Sequence, residues 1–177
     1  MAFQHLKTRT LLVCLALLTF GAAPLHAQQQ RYQGQTIEEI LALPDDKIDL
    51  GIACLVMAKD AYPELDINAF DKALDYMAAR VKSLMKGKTD PIQRIGMMNT
   101  YLYRPGWWND KITFSYDRED LLATKKESWF LNGYLATKKG SCATMPMLYL
   151  VLADRLGWPI KAVLAPQHYF CRYMGIE

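Results

Sequence analysis

The sequence predicts an α+β fold, with a helical N-terminal half followed by a smaller unit of helix and strand. In the N-terminal half, apolar residues recur at helical spacing in segments that begin at capping residues and end at Gly or Pro. Nearer the C-terminus, a helical segment is followed by a short apolar run, residues 160–165, which is typical of a strand. We therefore divide the chain after its leader into residues 28–127, helical with an aromatic loop, and residues 128–177, the mixed unit.

Residues 1–27 are expected to be a secretory signal peptide. Lys7 and Arg9 form a basic start, residues 11–20 form an apolar core, and residues 25–27 have the pattern of a cleavage site. The apolar core is too short to span a bilayer comfortably. We therefore expect secretion across the inner membrane to the periplasm and no stable membrane span after cleavage; an uncleaved anchor is the alternative.

Removal of the leader changes the chain's charge and its inventory of reactive residues. The remaining 150 residues carry 19 basic and 18 acidic side chains, so net charge gives no reason to expect a nucleic-acid partner. His168 is then the one histidine left, beside Cys54, Cys142 and Cys171. Three cysteines in an oxidising compartment permit one disulfide and one free thiol.

Four helices are predicted before residue 103. The first runs to Leu43 from a capping box formed by Thr36 and Glu39. The caps expected for the next three are residues 44–46, Asp66 and Asp90. The apolar positions at helical spacing are Ile48, Ile52, Leu55, Val56, Phe70, Leu74, Met77, Val81, Leu84, Ile92, Ile95, Met98 and Leu102.

Residues 104–120 are predicted to be an irregular loop packed by its own aromatic side chains. Turn-forming residues alternate there with Trp107, Trp108, Phe114 and Tyr116. The alternative is that this loop forms one wall of a substrate groove. After the loop, Ser128 is expected to cap a further helix that leads to a turn at glycine.

The main functional signal is a cysteine at the start of a helix, followed by a chain reversal and a histidine. A helix from Cys142 to Leu156 is roughly 21 Å long, and a strand over residues 160–167 covers roughly 26 Å. Gly157 ends the helix in the left-handed conformation, where the chain can reverse. These lengths bring His168 near the helix end that carries Cys142, as a Cys/His nucleophile pair requires.

Such a pair predicts acyl chemistry through a thiolate. A free thiol with a pKa of about 8.5 is mostly neutral at pH 7, but a helix N-terminus and a protonated His168 both favour the thiolate. We therefore expect Cys142 to be a free thiol, with no cofactor and no metal. Two alternatives stay open: an inert packing cysteine, or a zinc site with Cys171, which strand alternation opposes.

Several stretches of the chain resemble one known family. They are Asp60-Ala61-Tyr62-Pro63-Glu64-Leu65-Asp66, Ser128-Trp129-Phe130-Leu131-Asn132, Gly140-Ser141-Cys142, Met147-Leu148-Tyr149-Leu150, Leu156-Gly157-Trp158-Pro159 and Pro166-Gln167-His168. Together they resemble the transglutaminase-like superfamily, in particular a bacterial branch with a helical N-terminal half. The resemblance covers residues 36–173. It implies a papain-like core, with Cys142 as the nucleophile and His168 as the base.

The sequence departs from that family in two respects. Many members have tryptophan after the cysteine, where this chain has Ala143. Members also carry an Asp or Asn on the strand after the histidine's, whereas this sequence ends at Glu177. We therefore expect the C-terminal strands to be missing, and the 177-residue chain to be a truncated form of a longer protein, poorly stable and nearly inactive.

The function expected from these residues is that of an exported transglutaminase-like thiol enzyme acting on amide bonds. A Cys142 thioester would form first, and entry of an amine or of water would make the enzyme an acyltransferase or a hydrolase. The expected partner is a protein or peptide substrate, and the oligomeric state is left open. The alternative function is a non-catalytic peptide-binding or scaffold domain of the same fold.

Overall fold

The fold is known from a computed structural model, which describes residues 31–87 and 89–175. The predicted signal peptide lies outside the described residues. Within them the protein has mixed α and β structure, as the sequence predicted. Its helices are α1 (Ile37–Leu41), α2 (Leu50–Lys59), α3 (Ile67–Met85), α4 (Pro91–Tyr103), α5 (Leu131–Thr137) and α6 (Thr144–Arg155), and its strands are β1 (Ser115–Tyr116), β2 (Lys139–Gly140), β3 (Ile160–Ala165) and β4 (His168–Tyr173).

Three of the predicted helix caps are present. Thr36 and Glu39 form the capping box of α1, and each side chain accepts a hydrogen bond from the other residue's backbone N–H. Asp66 caps α3 and Asp90 caps α4, where Pro91 occupies the first helical position. These caps are local features, because donor and acceptor lie three residues apart in the sequence.

Two details of the first helices differ from the prediction. α1 ends at Leu41, two residues earlier than expected. The cap of α2 is Asp49, whose carboxylate accepts a hydrogen bond from the backbone N–H of Ile52 at 2.9 Å. Residues 44–46 do not cap α2, because Asp45–Lys47 instead forms a separate turn of 3-10 helix.

A single hydrophobic cluster joins the two halves of the predicted division. α3 contacts α2, α4 and α6, so the helix that follows Cys142 packs directly on the N-terminal helices. The fully buried side chains of this hydrophobic cluster include Leu55, Leu74, Val81, Met98, Leu102, Leu131, Tyr134, Leu148 and Leu152. Each buried leucine contributes about 1.5–3 kcal/mol relative to exposure. No helix in the described ranges is long and apolar enough to cross a bilayer.

The aromatic loop is packed and also contains a strand that the sequence did not predict. Arg80 donates hydrogen bonds to the carbonyls of Trp107 and Trp108, which fixes a 3-10 turn to α3. Beyond it, β1 pairs in parallel with β2, so that Tyr116 lies opposite Gly140. This pairing holds the end of the loop beside the residues that precede Cys142.

Ser128 does not cap α5, contrary to the prediction. The helix begins at Leu131, and Phe130 occupies the capping position without a side-chain hydrogen bond. Ser128 is buried in a short 3-10 helix, where its hydroxyl donates to Asp120 at 2.7 Å. The hydroxyl is therefore engaged with the loop before it and not with the helix after it.

The helix-and-hairpin unit has the predicted order. α6 is followed by Gly157, whose φ of +64° is the left-handed conformation expected at a helix end. β3 and β4 then form an antiparallel hairpin in which Ala165 pairs with His168. Cys142 lies in the turn just before α6 and not within the helix, because α6 begins at Thr144.

Candidate active site

Cys142 and His168 line the same pocket, which has a volume of about 260 Å³. This space is called the Cys142 pocket below. Its other lining residues are Tyr103, Tyr116, Met145, Pro146, Tyr149, Tyr169, Phe170 and Cys171. No Asp, Glu, Lys or Arg is among these described lining residues, so the pocket surrounds the thiol and imidazole with aromatic and apolar groups.

Ser141 fixes the start of α6 beside Cys142. Its backbone N–H donates to the hydroxyl of Thr144 at 2.8 Å, and its own hydroxyl accepts from the Thr144 backbone N–H at 3.3 Å. The carbonyl of Ser141 accepts from the N–H of Met145 at 3.1 Å, which is a helical i to i+4 bond. These bonds form one hydrogen-bonded turn over residues 141–145 that leads into α6, and Cys142 lies within that turn.

The turn also depends on the glycine that precedes Ser141. A Cβ atom added at Gly140 would lie 2.6 Å from the ring of Tyr134 and 2.9 Å from the hydroxyl of Thr144. The carbonyl of Gly140 accepts a hydrogen bond from the N–H of Asp117 at 2.8 Å. Gly140 is thus held by β1 and pressed against α5, which fixes the chain direction into Cys142.

The backbone N–H of Cys142 donates no hydrogen bond to another described residue. Those of the next two residues, Ala143 and Thr144, both donate to the Ser141 hydroxyl at 3.3 Å. An unpaired N–H at the start of a helix, beside a thiol, is a donor that can meet a negatively charged oxygen.

His168 is the first residue of β4 and is exposed at the mouth of the pocket. The hairpin turn is Pro166 and Gln167, and Gln167 has a φ of +59° that returns the chain toward α6. Among the described residues, no hydrogen bond joins His168 to Cys142. Catalytic pairs are often loose without substrate, so shared lining of one pocket is the relevant geometry here.

All three described cysteines are free thiols, and they occupy different environments. Burial raises the pKa of Cys54 to about 12, with a further rise from the nearby charge of Asp49. Burial likewise raises the pKa of Cys171 to about 11, and its thiol donates to the carbonyl of Pro146 at 3.6 Å. No three His, Cys, Asp or Glu side chains within the described ranges are grouped as metal ligands.

Two tyrosines of the Cys142 pocket, Tyr103 and Tyr149, have raised pKa values and are neutral at ordinary pH. Burial raises the pKa of Tyr103 to about 12, and the charge of Cys171 adds to the effect. Burial also raises the pKa of Tyr149, again chiefly by desolvation. These phenols therefore contribute apolar ring surface and hydroxyl groups, but no charge.

Sequence reasoning missed most of the pocket wall. Of the four aromatic residues noted in the loop, Tyr116 lines the Cys142 pocket; whether that pocket is a substrate groove stays a prediction. Trp107 and Trp108 instead pack edge to face with each other. Tyr103 lies at the end of α4, and nothing in its sequence context signals that it would reach residues 142–171.

A model of the transglutaminase-like superfamily matches residues 68–177, more than half of the chain. The chain belongs to the transglutaminase-like superfamily. All lining residues of the Cys142 pocket lie within the matched range. The pocket is therefore a feature of the transglutaminase-like domain itself.

Two curated relatives of this transglutaminase-like protein are UPF0162 proteins of Xylella fastidiosa, from strains Temecula1 and 9a5c. Each is 22% identical to it over 133 residues. The alignment covers 75% of this chain but 44% of each relative, so the chain spans less than half of their length. No solved structure gives a significant match.

Proposed function

We propose that Cys142 and His168 catalyse acyl transfer from an amide through a thioester. The observation that carries this proposal is that both side chains line one pocket, with Cys142 at the hydrogen-bonded start of α6. The thiolate attacks the amide carbonyl carbon, and the tetrahedral intermediate collapses with cleavage of the C–N bond. His168 gives its proton to the departing amine, which leaves an acyl-Cys142 thioester and a neutral imidazole.

The second step regenerates the thiol. An incoming amine or water loses a proton to His168 as it attacks the thioester carbonyl. Cleavage of the C–S bond then releases a new amide or a carboxylic acid and returns the thiolate. In both steps, negative charge on the carbonyl oxygen is stabilised by the free backbone N–H of Cys142, supported by the N-terminus of α6.

The surroundings favour a neutral acyl group on a protein or peptide. Most of the wall is aromatic, and burial raises the pKa values of Tyr103 and Tyr149, so these phenols stay uncharged. A charged side chain would lose water there without gaining an ion pair. The proposed location of this activity is the periplasm, after removal of residues 1–27.

The direct test is thiol-dependent transfer measured on the exported chain. A library of peptide amides is incubated with a fluorescent primary amine, and amine incorporation and acid formation are both followed by mass spectrometry. Relative to whatever product the native chain forms, we expect a loss of about 10³-fold or more in Cys142→Ser. Cys54→Ser is the matched control and retains activity. Equal product from Cys142→Ser and the native chain would contradict the proposal.

A peptide-binding domain without catalysis is the second candidate. It is favoured by the aromatic lining of the pocket and by the missing hydrogen bond between Cys142 and His168 in the described residues. This function gives peptide binding that is unchanged in Cys142→Ser, with no thioester adduct on native Cys142. Fluorescence polarisation with the peptides used above, together with intact mass, separates the two functions.

A further inference from the structure

Asp120 is a buried carboxylate in the loop between β1 and α5, and the proposed chemistry does not use it directly. One of its oxygens accepts from both the backbone N–H and the hydroxyl of Thr124, each at 2.7 Å. The other accepts from the backbone N–H of Lys125 at 3.0 Å and from the hydroxyl of Ser128 at 2.7 Å. Four donors around one carboxylate are an unusually complete set for a loop residue.

These hydrogen bonds keep the carboxylate ionised. The pKa of Asp120 is held well below its usual range, first by the N–H of Lys125 and then by the hydroxyl of Thr124, with Ser128 adding to the effect. Asp117 and Lys125 of the same loop form an ion pair with each other at 3.5 Å. An ionised carboxylate has only acceptors, so it can satisfy all four donors together.

The hydrogen bonding continues from Asp120 to the start of α6. Ser128, whose hydroxyl is held by Asp120, offers its backbone carbonyl to the hydroxyl of Ser141 at 3.0 Å. The Ser141 hydroxyl donates a hydrogen bond to the Ser128 carbonyl, so its lone pairs are left to accept from the N–H groups of Ala143 and Thr144. Ser128 and Ser141 are both buried, so water does not compete for these bonds.

We propose that Asp120 is a positioning residue for Cys142, acting through Ser128 and Ser141. Asp120 fixes Ser128, the Ser128 carbonyl orients the Ser141 hydroxyl, and that hydroxyl holds the two backbone N–H groups that follow Cys142. The consequence is that the backbone on both sides of Cys142 keeps one conformation beside the pocket that it shares with His168. This inference rests on the proposed function, because positioning matters only if Cys142 reacts.

Loss of this arrangement should weaken the Cys142–His168 pair without unfolding the protein. In Asp120→Asn, the amide nitrogen faces one backbone N–H and one hydroxyl that had donated to the carboxylate. The hydroxyl can turn to accept, but the N–H is left in a donor–donor contact. Misplacement of a reacting group by about 1 Å costs up to about 10²-fold in rate. We therefore expect kcat for acyl transfer to fall by about 10- to 100-fold with KM nearly unchanged.

The test compares Asp120→Asn with Glu119→Gln. Glu119 is exposed in the same loop, so its substitution makes the same change in charge outside the hydrogen-bonded chain. For each variant, the rate of iodoacetamide labelling of Cys142 is measured against pH. We expect the pH at which Cys142 labelling is half-maximal, called the midpoint below, to rise in Asp120→Asn and to stay at the native value in Glu119→Gln. Equal midpoints in all three proteins would overturn it.

Labelling of Cys54, which packs against the hydrophobic core, reports in the same samples whether the fold survives. A merely structural role for Asp120 exposes both thiols, so labelling of Cys54 rises; that result overturns the positioning role. Ser128→Ala is the milder second variant, because it removes one hydroxyl and keeps the carbonyl that meets Ser141. Its midpoint should rise in the same direction, and Asp120→Asn combined with Ser128→Ala should add little.

Labelling needs no acyl substrate, so it separates this inference from the proposed function. Suppose that the pH midpoint of Cys142 labelling rises in Asp120→Asn, while the native chain shows no acyl transfer. This result supports the positioning role and contradicts the proposed enzyme activity. Acyl transfer by the native chain with an unchanged midpoint and unchanged kcat in Asp120→Asn contradicts positioning alone.

Discussion

At the scale of single residues, the three described cysteines differ through their surroundings. Burial holds Cys54 and Cys171 as neutral thiols, with pKa values raised to about 12 and about 11. Cys142 lines a pocket together with an imidazole and lies in the turn that leads into α6, whereas Cys54 packs against the hydrophobic core. Because the thiolate is the nucleophile, surroundings of this kind decide which cysteine reacts.

Cys142 should therefore be labelled first. A raised thiol pKa means that the thiolate is scarce below that pH, so Cys54 and Cys171 should label slowly until the pH nears 12 and 11. His168→Ala should raise the pH at which Cys142 labels, because an imidazolium no longer favours its thiolate. The measurement is iodoacetamide labelling across pH 6–10, resolved by peptide mass spectrometry. Identical Cys142 profiles with and without His168 would exclude the pair.

At the scale of elements, Gly51 determines how closely α2 approaches the end of α6. A Cβ atom there would lie 2.8 Å from the Arg155 guanidinium, 3.1 Å from the Asp49 carboxylate and 3.2 Å from Val151. The guanidinium cannot easily move aside, because it is buried and bonded to carboxylates of α3. The missing side chain is thus what permits the contact.

Gly51→Ala should destabilise the fold by about 1–3 kcal/mol, the usual cost of overpacking. Gly96→Ala is the matched control, since a Cβ on that helical glycine of α4 meets nothing within 4 Å. The control should stabilise by about 0.4–1 kcal/mol, because alanine restricts the unfolded chain. Urea unfolding followed by circular dichroism measures both. Equal effects of the two substitutions would show that the approach of α2 to α6 is not tight.

Local sequence signals predicted the individual helices and strands better than they predicted the contacts between them. The caps at Thr36, Asp66 and Asp90 were predictable because each involves residues three positions apart. The proximity of Cys142 and His168 followed from the lengths of one helix and one strand. The β1–β2 pair and the partners of Ser128 and Arg155 were missed, because they depend on contacts between segments far apart in sequence.

At the scale of the whole molecule, a buried ion network ties α6 to the N-terminal helices. Arg155 meets Asp71 and Asp75, which lie one turn apart on α3, and also Asp49 at 3.7 Å. Arg31 pairs with the same three carboxylates from the other side. The side chain of Arg155 is only 7% exposed, so these charges depend on one another for compensation.

Asp71→Asn should destabilise the protein by about 3–5 kcal/mol, because it leaves Arg155 buried with less compensation. The exposed pair of Asp46 and Lys47 provides the control, and Asp46→Asn should cost at most about 1 kcal/mol. Denaturant unfolding gives both free energies. A cost below 1 kcal/mol for Asp71→Asn would show that the network contributes little to stability.

Export is the remaining whole-molecule prediction. The basic start and short apolar core of residues 1–27 should direct secretion, with cleavage between Ala27 and Gln28. Intact mass and N-terminal sequencing of the protein from a periplasmic fraction should give a chain that starts at Gln28. A full-length product confined to the cytosol would contradict the proposed location. The control is a variant in which a bulky residue replaces Ala27. It should accumulate with residues 1–27 still attached.

The contiguity of α6 and the hairpin has a consequence for how the site assembles. Cys142 and His168 are separated by 26 positions, so few residues need to be ordered to bring them together. The entropy of closing a loop grows only with the logarithm of its length, and contacts between near positions form early in folding. Cys142 and His168 should thus meet within one contiguous helix-and-hairpin unit. The wall at Tyr103 and Tyr116 comes from earlier segments, so we expect it to form only when those segments pack on that unit.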